Sequence, residues 1–143
     1  MKENILFKTA ALYLILLIVS LPGYAQKDTS NRYEVKASNK NQRFFYGLAS
    51  FYSDKFHGRK TANGEIFKQN KFTAACNVLP LGTWIRVTNL RNGKSIILKT
   101  TDRLHPRMRR LVDLSSSAAK KLDYVSRGLT RVKVEVLNQK THK

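Results

Sequence analysis

Carboxylates are scarce in this chain: 9 Asp and Glu stand against 27 Lys and Arg over 143 residues, a formal net charge of +18. Chemistry that needs a proton donor or a hard-metal ligand must therefore draw on very few positions. Cysteine is scarcer still. Cys76 stands alone, which excludes an internal disulfide framework and leaves the fold to its own core. None of the three histidines has a second histidine or a cysteine at metal-ligand spacing, so no zinc site is expected. A P-loop, a dinucleotide-binding glycine fingerprint and a nucleophile elbow are all missing, and no cofactor is expected. Nor does any repeat of solenoid period occur. Long apolar runs are missing too. "TAALYLILLIVSL" (Thr9 to Leu21) has about 13 residues, short of the roughly 20 that a spanning helix needs.

That run has another use. Lys2 and Lys8 supply a positive n-region, and "PGYA" ends it in small residues, so residues 1–25 read as a signal peptide cleaved after Ala25. Gln26 follows, where a lipid anchor needs cysteine. The mature protein is thus expected to be exported, without a stable membrane anchor, in the periplasm or cell envelope. It keeps a charge of about +17, because only Lys2, Lys8 and Glu3 are removed. Such a charge favours polyanions. Export makes an anionic envelope surface the expected one, and nucleic acid is not expected.

Residues 26–43, "QKDTSNRYEVKASNKNQR", are polar and aperiodic and read as a flexible basic linker. Structure is expected over 44–139, with 140–143 as a tail. "FFYGLASFY" (Phe44 to Tyr52) is aromatic-rich and suits a strand. "TWIRVTNL" (Thr83 to Leu90) alternates, and Asn92-Gly93 before "SIILKTTD" predicts a hairpin with a type I′ turn. "TRVKVEVLN" (Thr130 to Asn138) puts Val132, Val134 and Val136 on one face and Arg131, Lys133 and Glu135 on the other. One short helix is predicted within "DLSSSAAKKLDYV", with serines as candidate N-caps. The composite is mainly β, a small barrel or sandwich of about 100 ordered residues.

Of the few carboxylates, Asp28 and Glu34 fall in the linker, Asp54 follows the first strand, Asp123 ends the helix and Glu135 lies on a polar face. Three remain. Glu65 follows the turn signal Asn63-Gly64 and precedes Ile66 and Phe67, a setting that can desolvate a carboxyl and make it a general acid, or leave it a solvated turn residue. Asp102 ends a strand, where it either enters a cleft or pairs with Arg103. Asp113 precedes the helix, and helix capping or dipole stabilisation is its expected role. His57 is a candidate acid, base or hydrogen-bond donor. Cys76, without an evident base, reads as a small buried thiol.

The motifs "GLASFYSDKFHGRKTANGEIF", "FTAACNVLPLGTWIRVTNLRNGKSIILKTTDR" and "LVDLSSSAAKKL" together resemble RlpA-like (rare lipoprotein A) proteins from about Tyr46 to Leu137. The resemblance implies a six-stranded double-psi β-barrel with one or two short helices. It implies a lytic transglycosylase, which cleaves the MurNAc–GlcNAc β-1,4 bond of peptide-poor peptidoglycan strands and leaves 1,6-anhydro ends. It casts Asp102 as acid/base and Glu65 as the group that orients substrate or stabilises positive charge, or the two with roles exchanged. His57, Arg59, Thr61, Asn63 and Arg103 become substrate-binding candidates. Cys76 occupies the family's T-A-A-H histidine position, and "DRLHP" replaces D-R-G-P, bringing His105 nearby. The alternative is a non-catalytic, expansin-like glycan-binding barrel.

Overall fold

The structure, a computed structural model, describes residues 33–38 and 42–137. The signal-peptide reading of residues 1–25 and the tail at 140–143 lie outside the described residues. Seven strands form one sheet: β1 (Glu34–Ser38), β2 (Gln42–Phe51), β3 (Thr73–Cys76), β4 (Trp84–Asn89), β5 (Ser95–Asp102), β6 (Val112–Leu114) and β7 (Thr130–Val136). Their spatial order is β1-β2-β6-β3-β5-β4-β7, and β2 also pairs with β7, so the six strands β2 to β7 close into a barrel. Closure leaves those six strands no free edge to protect. Two pairs run parallel, β2 with β6 and β3 with β5; the other barrel pairs are antiparallel.

The alternating strands behave as their pattern demands. β4 and β7 turn Ile85, Val87, Val132 and Val134 into the core, where Leu98, Leu111, Val112, Leu114 and Leu122 meet them. β2 passes very close to the β6 approach. A Cβ on Gly47 would stand 2.7 Å from Leu111 Cβ, so only glycine fits beneath that leucine. The helix α1 (Ser116–Leu122) buries Ala118, Ala119 and Leu122. Its N-cap is Ser115, but the serine side chain makes no cap bond. Instead Gln69 Oε1 accepts the Ser116 N–H at 2.8 Å, meeting one of the orphan donors of the first turn from outside the helix.

Three expectations need correction. β1 lies inside the stretch read as a flexible linker and pairs antiparallel with β2, Glu34 opposite Tyr46 through Ser38 opposite Gln42. Tyr33 seats its ring 6.1 Å from that of Phe45, an apolar contact that the polar composition hides. The β4–β5 loop is not a type I′ turn. Gly93 has φ 74° but Asn92 has no positive φ, and the loop closes by Gly93 N–H to Asn89 O and Asn89 N–H to Lys94 O, both 2.8 Å. Glu135 is not on a solvated face; it is buried and ion-paired with Arg86 at 3.2 Å.

Candidate active site

The barrel topology brings two aspartates into one row. Ala75 of β3 is the register partner of Asp102 on β5 and of Asp113 on β6, and Asp113 is in turn opposite Ser50 on β2. β3 lies between the two acidic strands, so the aspartate backbones stand two strand spacings apart, about 10 Å. Ala74 and Cys76 belong to the core cluster while Ala75 does not, which turns Ala75 to the opposite face. Both aspartates line one cleft of about 600 Å³.

Asp102 is held by three donors. Its Oδ1 accepts the N–H groups of Ala62 (2.9 Å) and Arg103 (2.8 Å), and its Oδ2 accepts the Tyr52 hydroxyl at 2.8 Å. Tyr52 is kept a donor because burial, and then its bond to Asp102, push the phenol above its usual range. Its ring lies 4.5 Å from that of Phe67 and 5.5 Å from that of Phe56, so three aromatic side chains wall the cleft. Arg59 and Lys55 stack their charges over Phe56, each 5.3 Å from its centroid.

Asp113 has a different environment. It is 8 % exposed, and burial raises its carboxyl above the ordinary range even though Arg110 pulls the other way. Arg110 donates from Nη2 to Asp113 Oδ2 at 3.0 Å. Its Nε stands 2.8 Å from Oδ1 outside hydrogen-bond alignment, which leaves Oδ1 without a hydrogen bond. The expected capping role is therefore replaced: Asp113 belongs to β6, two residues before Ser115, and faces the cleft.

Arg59, Thr61, Asp102, Arg103 and His105 line the cleft; Glu65, His57, Asn63 and Cys76 are not among its lining residues. The "TANGE" turn is built around itself. Thr61 Oγ1 lies 2.6 Å from Asn63 Oδ1 and 2.9 Å from the Glu65 carbonyl, Asn63 Oδ1 accepts the Glu65 N–H, and Gly64 takes φ 89°. Asn63 N–H then reaches Thr101 O on β5. The turn thereby delivers the Ala62 amide to Asp102, while the Glu65 side chain is exposed. His57 Nδ1 accepts the Gln69 N–H at 3.3 Å outside the cleft. Arg103 grips the loop after β3, donating to the carbonyls of Cys76 and Leu79. The Cys76 thiol is buried in the core, and burial raises it above its usual range. Among the described residues no three His, Cys, Asp or Glu side chains converge to hold a metal.

Sequence reasoning missed Tyr52, Arg110 and the cleft-facing place of Asp113. Tyr52 had a signal: it closes the aromatic run of β2 as Asp102 closes β5. Arg110 stands three residues before Asp113, so its signal was local spacing.

Six strands closed around two parallel pairings define a small double-psi β-barrel, with two aspartates in an aromatic-walled cleft. A family model described as Lytic transglycolase matches residues 45–134, and the chain belongs to that family. A probable endolytic peptidoglycan transglycosylase RlpA from Synechocystis sp. is 42 % identical over 120 residues, covering 84 % of this chain and 37 % of the relative. The endolytic peptidoglycan transglycosylase RlpA of Pseudomonas aeruginosa is 53 % identical over 89 residues, 62 % of this chain and 26 % of the relative. The chain thus spans between about a quarter and little more than a third of these curated relatives' length. A Streptomyces papain inhibitor (TM-score 0.55, 21 % identity, 66 % of this chain and 94 % of that one) shares the fold. So does an apo expansin of Clavibacter michiganensis (TM-score 0.54, 19 % identity, 67 % of this chain and 51 % of that one).

Proposed function

We propose that this chain is a peptidoglycan lytic transglycosylase of the cell envelope, cleaving the MurNAc–GlcNAc β-1,4 bond, with Asp113 and Asp102 as its working pair. The observation that carries the reading is that two carboxylates in one cleft have opposite environments, the condition under which acid and anion roles separate. Asp113, desolvated, is suited to hold a proton and give it to the glycosidic oxygen as the C1–O bond breaks. The muramoyl C6 oxygen then closes onto C1, and its proton passes to the Asp113 carboxylate, which restores the acid. Asp102, braced by Tyr52 and two backbone amides, opposes the positive charge that develops at C1. Tyr52 and Phe56 offer aromatic faces for sugar rings, with the buried Phe67 ring packed against Tyr52, and Thr61, Arg59 and Arg103 complete the rim. Glu65 supports the turn beneath this site through its backbone, and the acid role that the resemblance gave to Asp102, or in exchange to Glu65, passes to Asp113. Export through residues 1–25 and soluble release are part of the same proposal.

The test is digestion of purified sacculi and amidase-stripped strands, with mass spectrometry for 1,6-anhydro products. Asp113→Asn and Asp102→Asn should each lower the rate by about 10²–10⁴-fold, while Glu65→Gln stays within about threefold. An inactive Glu65→Gln beside an active Asp113→Asn would sink the assignment. The Arg110 clamp on Asp113 favours a second reading, a glycan-binding barrel without cleavage. Wild type that pellets with sacculi and releases no anhydro product decides for it.

A further inference from the structure

Beside the cleft, β2 borders a second depression of about 480 Å³ with different chemistry. Leu48, Leu90 and Leu129 line it at 40, 47 and 46 % exposure, and Arg91, Arg127 and Arg131 surround them. No carboxylate and no aromatic ring is among its lining residues. None of the three guanidiniums is in an ion pair among the described residues.

We propose that this groove docks the protein on an anionic phospholipid surface, the leucines entering the acyl boundary and the arginines holding headgroup phosphates. Exposed apolar side chains interspersed with guanidiniums match the two layers that such a surface presents in order: anionic oxygen first, hydrocarbon beneath. Guanidinium is suited to the phosphate because its planar donors engage two oxygens at once. Two other occupants fit worse. An extended peptide needs an open strand edge, but β2 and β7 are hydrogen-bonded to each other along the groove, Leu48 opposite Arg131, and Leu90 N–H is spent on Arg131 O. A glycan subsite needs ring faces for stacking, and those stand in the cleft instead. Leu48 and Ser50 are two residues apart on β2, on one face and about 7 Å apart. Docking would therefore set the cleft at the bilayer's edge.

Amide hydrogen exchange of the full chain, with and without phosphatidylglycerol vesicles, reads the groove directly, whatever residues 1–25 do. Exchange over 88–91 and 127–131 should slow at least about threefold, with 68–71 unchanged. R91E/R127E/R131E should abolish that slowing. K68E/K71E/K120E makes the same charge change on exposed side chains elsewhere and should preserve it. Equal loss in both triple variants would reduce the effect to net charge and overturn the proposal. So would slowing at 68–71 to the same degree, slowing with neutral phosphatidylcholine, or slowing by peptidoglycan fragments in place of lipid.

Discussion

At the scale of single residues, neighbours decide what a carboxylate can do. Asp102 meets three donors; Asp113 meets burial and one arginine. The contrast gives a sharp pH test. Because the folded state raises the Asp113 carboxyl, the folded protein takes up its proton more readily than the unfolded chain. Its stabilising contribution is full below the ordinary carboxyl range, about 4, and is lost as pH rises through the raised value. Asp113→Asn cannot ionise. In urea denaturation the stability of wild type relative to this variant should therefore fall as pH rises from about 4 to about 8. A relative stability that grows with pH would mean that Arg110 outweighs desolvation, and the acid role would go with it. The sequence pointed to Asp102 through its strand-end position and to Glu65 through its turn. It could not rank them, because Ala62 and Tyr52, the partners of Asp102, lie far along the chain and reach it only through the barrel, and the burial that sets Asp113 apart is a property of the fold.

Elements were legible in proportion to their length and exposure. β5 runs over Ser95–Asp102 as its pattern predicts, and β4, β7 and α1 fall within a residue or two of expectation. β3 and β6 are short and wholly or almost wholly buried, so neither shows the alternation by which a half-exposed strand is read. Yet β3 and β6 supply two of the rungs that align the acids. The β4–β5 loop was read as a local turn, but its asparagines act at longer range. Asn89, 1 % exposed, donates to the Leu122 carbonyl at the end of α1 (2.9 Å) and accepts from Arg91 N–H (3.0 Å) and Thr130 Oγ1 (2.8 Å). Asn92 reaches the same Leu122 carbonyl at 3.0 Å. Hairpin, helix and last strand are thus joined at one buried amide. Asn89→Ala takes their acceptor from the buried Thr130 hydroxyl and the Arg91 N–H, while Asn92 still serves Leu122, and should cost about 2 kcal/mol or more, measured by urea denaturation. Asn92→Ala, half-redundant at Leu122 and exposed, should cost about 1 kcal/mol or less. Equal costs would show that the buried network does not govern this junction.

Across the whole molecule, positive charge and the two cleft aspartates serve different ends. Net charge of +18 acts on any anionic polymer, whereas the two aspartates occupy one cleft walled by rings. Lys55, Arg59, Lys60, Arg103 and Arg110 line that cleft too, so a strand carrying free carboxylates meets both kinds of group at once. Salt separates them. Exposed charges are screened beyond a Debye length, about 10 Å at 0.1 M and shorter above it, while ring stacking and buried hydrogen bonds are not. Raising ionic strength from 0.05 to 0.5 M should weaken pelleting with stripped, carboxylate-bearing glycan strands on the order of tenfold. The same change should alter affinity for carboxyl-reduced strands by less than about twofold. Tyr52→Phe should behave in the opposite way, weakening both substrates alike, because it removes the donor to Asp102 without touching surface charge. A tenfold salt response for the carboxyl-reduced strands as well would leave charge-independent recognition by the cleft without support.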